Sequence, residues 1–134
     1  MTPNCNTAMA LAVMALCLAP ANAQEIAPKG HLTGPTHFPQ KDGASLYKAI
    51  CQDCHMPDAM GAAGAGAYPA LAKNLKLAQA GYPVLMVLNG KGAMPPFKDK
   101  LDDQQVAEVV NFVRGHFGNA YKDKVTPDQV KTLR

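Results

Sequence analysis

The segment Cys51-Gln52-Asp53-Cys54-His55 limits what this chain can fold into more than any other part of it. Two thiols three positions apart face the same way on a helical turn, so both can add to the two vinyl groups along one edge of a porphyrin. The adjacent imidazole then reaches the iron. The C-x-x-C-H spacing is therefore read as a covalent haem attachment site, and the chain must wrap a flat apolar ring. A thioredoxin-like dithiol would need a β-α-β frame that the sequence does not provide, and a zinc site would need two more ligands close by. A lone structural disulfide between exported thiols is argued against by the histidine that follows directly.

With 134 residues and a mass of 14.2 kDa, the chain suits a single domain with one core. It opens on an apolar run from Ala8 to Ala19, followed by Pro20-Ala21-Asn22-Ala23, an A-x-A cleavage pattern before Gln24. Residues 1–23 are read as a cleavable signal peptide, and the periplasm as the destination. No Lys or Arg precedes the apolar run, an atypical start for an export signal. Cys17 invites a lipoprotein reading, but Leu16 is a poor fit for that processing. Cys5 and Cys17 then leave with the signal, and Cys51 and Cys54 are the thiols of the mature protein. The apolar run is shorter than the ~20 residues of a spanning helix. No later segment is long or apolar enough to cross a bilayer.

The formal net charge of +3 is mild, and residues 1–23 contribute nothing to it. The basic residues Lys73, Lys76, Lys91, Lys98 and Lys100 are scattered, which excludes a nucleic-acid footprint and leaves a solvated face or a docking patch.

Along the mature chain, residues 24–41 carry Pro28, Gly30, Gly34, Pro35 and Pro39 and read as an extended N-terminal arm. Asp42 is a candidate N-cap for a helix through Leu46, Tyr47 and Ile50 into the Cys51 turn. The stretch Met56 to Tyr68, rich in Gly and Ala, suits a close-packed loop. Its G-x-x-G-x-G is not a phosphate cradle, because no strand precedes it. Helical spacing of Leu71, Leu75 and Ala78 predicts a short helix, and Pro83 begins another that Asn89-Gly90 stops. Apolar residues at 106, 109, 110, 113 and 117 make Asp102 to His116 the clearest amphipathic helix. Thr126-Pro127-Asp128-Gln129 is a capping box that starts a last helical turn. Sheet content should be minimal.

From about Asp42 to Phe117 the chain resembles the class I c-type cytochromes with one haem. Gly43 and Tyr47 stand eight and four positions before Cys51, where that family places a Gly and an aromatic residue. Val109 and Phe112 match the apolar positions on the C-terminal helix that those two residues pack against. Pro69-Ala70-Leu71 matches the family's Pro-x-Leu, which implies that the Pro69 carbonyl accepts the Nδ1 proton of His55 and turns Nε2 toward iron. Gly90 to Phe97 resembles the distal-ligand loop, which implies Met94 as the sixth ligand. Met56 and Met60 leave the motif on the histidine side, and Met86 lies within an apolar helix. His31 and His37 in the arm and His116 at a helix end are not expected to compete with His55.

The resemblance implies an all-α, class I cytochrome c fold of four to five short helices wrapped around one covalent haem c. It divides the chain into the domain 42–117 and a C-terminal extension 118–134 with a short helix. It implies Cys51 and Cys54 as thioether attachments, His55 and Met94 as axial iron ligands, Pro69 as the residue supporting His55, and no catalytic residue. The ring is expected against Leu71, Leu75, Leu85, Met86 and Val106. The expected function is periplasmic one-electron transport. The tail resembles those of cytochrome subunits served by periplasmic flavoprotein and quinoprotein dehydrogenases. Such a dehydrogenase is the expected electron donor, with a terminal oxidase or another cytochrome as acceptor. The other readings are a haem subunit held within a dehydrogenase complex and a gas-binding or catalytic haem protein.

Overall fold

The structure is a computed structural model and describes residues 37–64 and 67–134. The signal peptide expected over 1–23 and most of the arm expected over 24–41 lie outside the described residues, as does His31.

Asp42 starts the first helix by accepting a hydrogen bond from the Ser45 amide at 2.9 Å. That bond holds its carboxyl below the usual carboxylate range. Helix α1 (Gly43–Leu46) runs on through a π-helical turn (Tyr47–Cys51) into α2 (Gln52–His55). In that turn the Gln52 amide reaches the Tyr47 carbonyl, five residues back. The extra residue rotates the C-x-x-C-H turn relative to the helix that carries it. Such single π turns are frequent at functional sites. Met56 ends the run with φ of 67°, a left-handed conformation that a non-glycine residue holds only when its surroundings enforce it. Here the Tyr47 hydroxyl and the Ala59 amide both donate to the Met56 carbonyl, at 2.7 and 3.0 Å.

The Gly- and Ala-rich segment, expected as a loop, contains a short antiparallel pair. β1 (Ala62–Ala63) lies beside β2 (Ala67–Tyr68), with Ala62 opposite Tyr68 and Ala63 opposite Ala67. The helix expected through Leu71, Leu75 and Ala78 is a 3₁₀ turn instead, Leu75–Ala78. Lys73 at φ of 48° interrupts the chain, and the Asn74 side chain caps the turn by accepting from the Lys76 amide. Leu77, not Leu75, faces the core in consequence. Helix α3 (Gly81–Asn89) ends at Gly90, whose φ of 67° suits glycine.

Helix α4 (Asp103–Gly115) begins with a full capping box between Asp102 and Gln105, and α5 (Pro127–Leu133) begins with one between Thr126 and Gln129. Helix α4 packs against α1, α3 and α5. The core they share includes Leu46, Val84, Leu88, Val106, Val110 and Val130. Val125 and Val130 belong to it, so residues 118–134 close the same core as the helices before them. Gln105 is buried, and its side-chain amide donates to the carbonyls of Phe38 and Gln40, each at 2.7 Å. The last residues of the expected arm are thereby fastened to α4.

Gly43 sits where α1 touches α4. A Cβ there would overlap the Glu108 carbonyl and the Phe112 Cβ. Gly43→Ala is therefore expected to destabilise the protein by about 2–3 kcal/mol through overpacking, read as a lower denaturant midpoint at unchanged m. An alanine variant as stable as the native protein would show that the helices can part without cost.

Candidate haem-binding site

The two motif cysteines lie on the helical run 47–55, each half-buried. Burial pushes the Cys51 thiol up to about 12, and the neighbouring Cys54 adds to the effect. A sulfur in these surroundings is held neutral. A thioether, which carries no charge, suits the same place.

His55 follows on α2 and is 8% exposed. Its Nδ1 lies 2.9 Å from the Pro69 carbonyl oxygen. A carbonyl can only accept, so Nδ1 carries the proton and donates it. In the neutral ring the lone pair is then on Nε2, the nitrogen a metal would need. The backbone reinforces this placement. The Gly61 amide donates to the His55 carbonyl at 3.0 Å, and the amides of Leu71 and Ala72 both donate to the Ala59 carbonyl at 2.8 and 2.9 Å. Gly61 must be glycine, since a Cβ there would overlap the Tyr68 carbonyl and the backbone of Pro69 and Ala70.

Met94 lies half-buried in the loop between α3 and α4. Lys91 and Met94 exchange backbone hydrogen bonds at 3.0 and 3.1 Å. The loop then returns to α3 through the Phe97 amide to Val87 and the Lys98 amide to Leu88. A Cβ on Gly90 would overlap the Met94 carbonyl and the Pro95 and Pro96 backbone, so glycine lets the loop fold tightly over the helix end. Arg134 fastens the far side. It pairs with Asp103 at 2.7 Å and donates to the carbonyls of Lys98 and Leu101.

Of the five residues the sequence marks, the structure joins His55 and Pro69 by a direct bond and sets Cys51 and Cys54 on one helical run. Met94 is bonded only within its own loop. The chain segments between the motif and Met94 leave large apolar side chains uncovered, including Met60, Tyr68, Leu75, Tyr82 and Leu85. A broad apolar ring would cover such surface, and the paired motif cysteines and the free Nε2 suit the same group. These residues fit a haem. Among the expected wall residues, Leu71 and Met86 are half-buried, while Val106 is fully enclosed by protein.

A protein-family profile described as cytochrome C oxidase, cbb3-type, subunit III matches residues 39–113. The chain belongs to the cytochrome c family. It is 34% identical over 108 residues to the fructose dehydrogenase cytochrome subunit of Gluconobacter japonicus, covering 69% of this chain and 22% of that subunit. It is 36% identical over 104 residues to the gluconate 2-dehydrogenase cytochrome c subunit of Pantoea cypripedii, covering 69% and 24%. The chain thus spans about a quarter of the length of these subunits. Cytochrome c6 of Aphanizomenon flos-aquae is 33% identical over 88 residues, covering 60% of this chain and 93% of that protein. As a cytochrome c with the all-α class I fold, the chain is an electron carrier with covalently bound haem c, and Cys51 and Cys54 fit its attachment motif. Among the described residues no helix is long and apolar enough to cross a membrane.

Sequence reasoning missed the polar groups that support this cytochrome from behind. Arg114 is 1% exposed and donates through Nε to the Leu77 carbonyl at 2.9 Å. It grips both carboxylate oxygens of Asp123 at 2.8 and 2.7 Å, which holds that carboxyl below the usual range. Asn119 and Asn111 are further ties between segments. The one available signal was an arginine among the apolar positions of the amphipathic helix.

Tyr47 is 3% exposed and packs at a tilt on Phe117 with ring centroids 4.9 Å apart. Burial pushes its phenol up to about 12 from an ordinary 10. The folded state therefore keeps a proton that the unfolded state releases above pH 10. Stability should fall by about 1 kcal/mol per pH unit between pH 10 and 12 from this group. Tyr47→Phe should flatten that decline while lowering stability at pH 7 by about 1 kcal/mol, the worth of the bond to Met56. Denaturant titrations of both proteins at pH 7, 10 and 11.5 measure it.

Proposed function

We propose that this cytochrome is a periplasmic one-electron carrier whose haem iron is held by His55 on one face and Met94 on the other. The observation that carries the reading is the 2.9 Å bond from His55 Nδ1 to the Pro69 carbonyl, because it commits the ring to presenting Nε2. When bound, haem c supplies a one-electron ferrous/ferric couple. Cys51 and Cys54 fix the ring edge as thioethers. Pro69 orients His55 and raises its basicity as a donor. Met94 offers a thioether, which favours reduced iron over what a second imidazole would give. Two protein ligands leave no coordination site for oxygen or peroxide, which separates a carrier from a gas-binding or catalytic haem protein.

The donor in this reading is a flavoprotein or quinoprotein dehydrogenase, supported by likeness to cytochrome subunits of fructose and gluconate dehydrogenases. The acceptor is a terminal oxidase or another cytochrome. Periplasmic location rests on the apolar run Ala8 to Ala19 with its A-x-A pattern. A second reading, a haem domain held permanently within a dehydrogenase complex, is favoured by those same subunits. The match over 93% of a cytochrome c6 favours the free carrier.

Met94→Ala tests the ligand pair. The native ferric protein should show the weak red absorption of sulfur on low-spin iron, and the native ferrous protein should bind carbon monoxide poorly. The variant should lose the band and bind carbon monoxide. Rapid, complete carbon monoxide binding by the native ferrous protein would overturn the assignment. For the donor, stopped-flow reduction by candidate dehydrogenases should reach the ~10⁵–10⁷ M⁻¹s⁻¹ of specific protein association. Rates decades slower with every candidate would remove that part.

A further inference from the structure

We infer that Asn119 is a positioning residue for the haem histidine, acting through the segment that follows Pro69; the inference rests on the reading of His55 as an iron ligand. Asn119 is 6% exposed and lies just past α4. Its side chain makes three bonds, all to backbone, with both amide hydrogens used. Nδ2 donates to the carbonyls of Leu71 and Val113 at 2.8 and 2.9 Å, and Oδ1 accepts from the Asn74 amide at 2.9 Å. Asn74 in turn donates through Nδ2 to the Ala70 carbonyl at 2.7 Å. Both residues immediately after Pro69 are thus fixed, one directly by Asn119 and one through Asn74.

The same turn adds two further ties. The Lys73 amide donates to the Phe117 carbonyl at 3.1 Å, and the Tyr121 hydroxyl donates to the Asn74 carbonyl at 3.2 Å. Phe117 packs on Tyr47, which belongs to the helical run that carries the motif. A closed circuit results: the histidine hangs from one side of it and the carbonyl it donates to hangs from the other. Rotation of the peptide after Pro69 is the freedom that would lengthen the His55 bond, and it is opposed by the two peptides that follow, held through Asn74 and Asn119 on one side and the Ala59 carbonyl on the other. Leaving these amide and carbonyl groups unpaired in the interior is costly, so the segment has little alternative but the observed path.

The test is made on holoprotein. In the ferrous state, the exchange of the His55 Nδ1 proton with solvent is followed by NMR of nitrogen-labelled protein, beside the midpoint potential. Asn119→Ala should speed the exchange by about tenfold or more as local opening becomes easier. It should also raise the potential, since a looser hydrogen bond makes imidazole a weaker donor to ferric iron. Val130→Ala, which removes buried apolar contact from α5, serves as the destabilised control and should leave both readouts unchanged. If Asn119→Ala does not retain haem, Asn74→Ala, which deletes the Ala70 tie from a half-buried position, is read on the same two scales. Exchange and potential indistinguishable from the Val130→Ala control would overturn the role of Asn119. A native protein with no protected ring proton on His55 would instead overturn the reading on which it rests.

Discussion

The approach of α1 to α4 at Gly43 is the constraint that the remaining placements depend on. With the Glu108 carbonyl and the Phe112 Cβ filling the space a side chain would occupy, the α1 backbone lies directly against the backbone and the Phe112 Cβ of α4. One turn later Tyr47 is driven into the aromatic group of Phe112 and Phe117, with centroid separations of 5.8 and 4.9 Å. Its hydroxyl then meets the Met56 carbonyl, which stabilises the left-handed residue ending the run. The C-x-x-C-H turn lies between these two fixed points. Its orientation is thus set by the contacts of Gly43 and Tyr47 before it and of Met56 after it.

Buried polar side chains do the rest of the joining. A buried arginine is a poor source of net stability, because desolvation offsets most of what its bonds return. Arg114 nonetheless engages Leu77, Ala78 and Asp123 from α4, so one side chain fixes the 3₁₀ turn and the chain beyond α4 at once. Asn111 bonds both the amide and the carbonyl of Val125, standing in for a neighbouring strand. In a chain with little regular structure between α2 and α3, such ties supply the specificity that a helix ladder supplies elsewhere. Removing one leaves several backbone groups unpaired, which costs far more than the tie contributes net.

Much of this was legible beforehand. Asp42, Thr126, Pro83 and Gly90 marked helix ends through their own backbone chemistry, and 3.6-residue periodicity marked α4. Gly43, Tyr47 and Phe112 were readable only through the family pattern, since neither periodicity nor propensity says that a glycine faces another helix. The 3₁₀ turn was misjudged because Leu71, Leu75 and Ala78 keep helical spacing while Lys73 adopts φ of 48°. That choice is imposed by Phe117 and Asn119, more than forty residues away in sequence. Local patterning carries no record of such a partner. The π turn at Tyr47–Cys51 was likewise invisible, because only the four residues of α2 follow it, too few to show a shifted apolar period.

The histidine segment and the Met94 loop are held by different kinds of interaction. On the histidine side, the buried Asn119 side chain bonds the Leu71 carbonyl and the Asn74 amide, Asn74 bonds the Ala70 carbonyl, and the histidine itself is 8% exposed. On the Met94 side, the loop relies on a tight glycine turn, a few backbone bonds to α3, and Arg134, whose side chain and that of Asp103 are each 28% exposed. Water competes for that ion pair and screens it, so it contributes modestly. Local opening is least costly where bonds are few and wet. In the proposed ligand pair, this asymmetry sets a rigid imidazole mount against a loop that can yield, and the loop is where exchange of that ligand would begin.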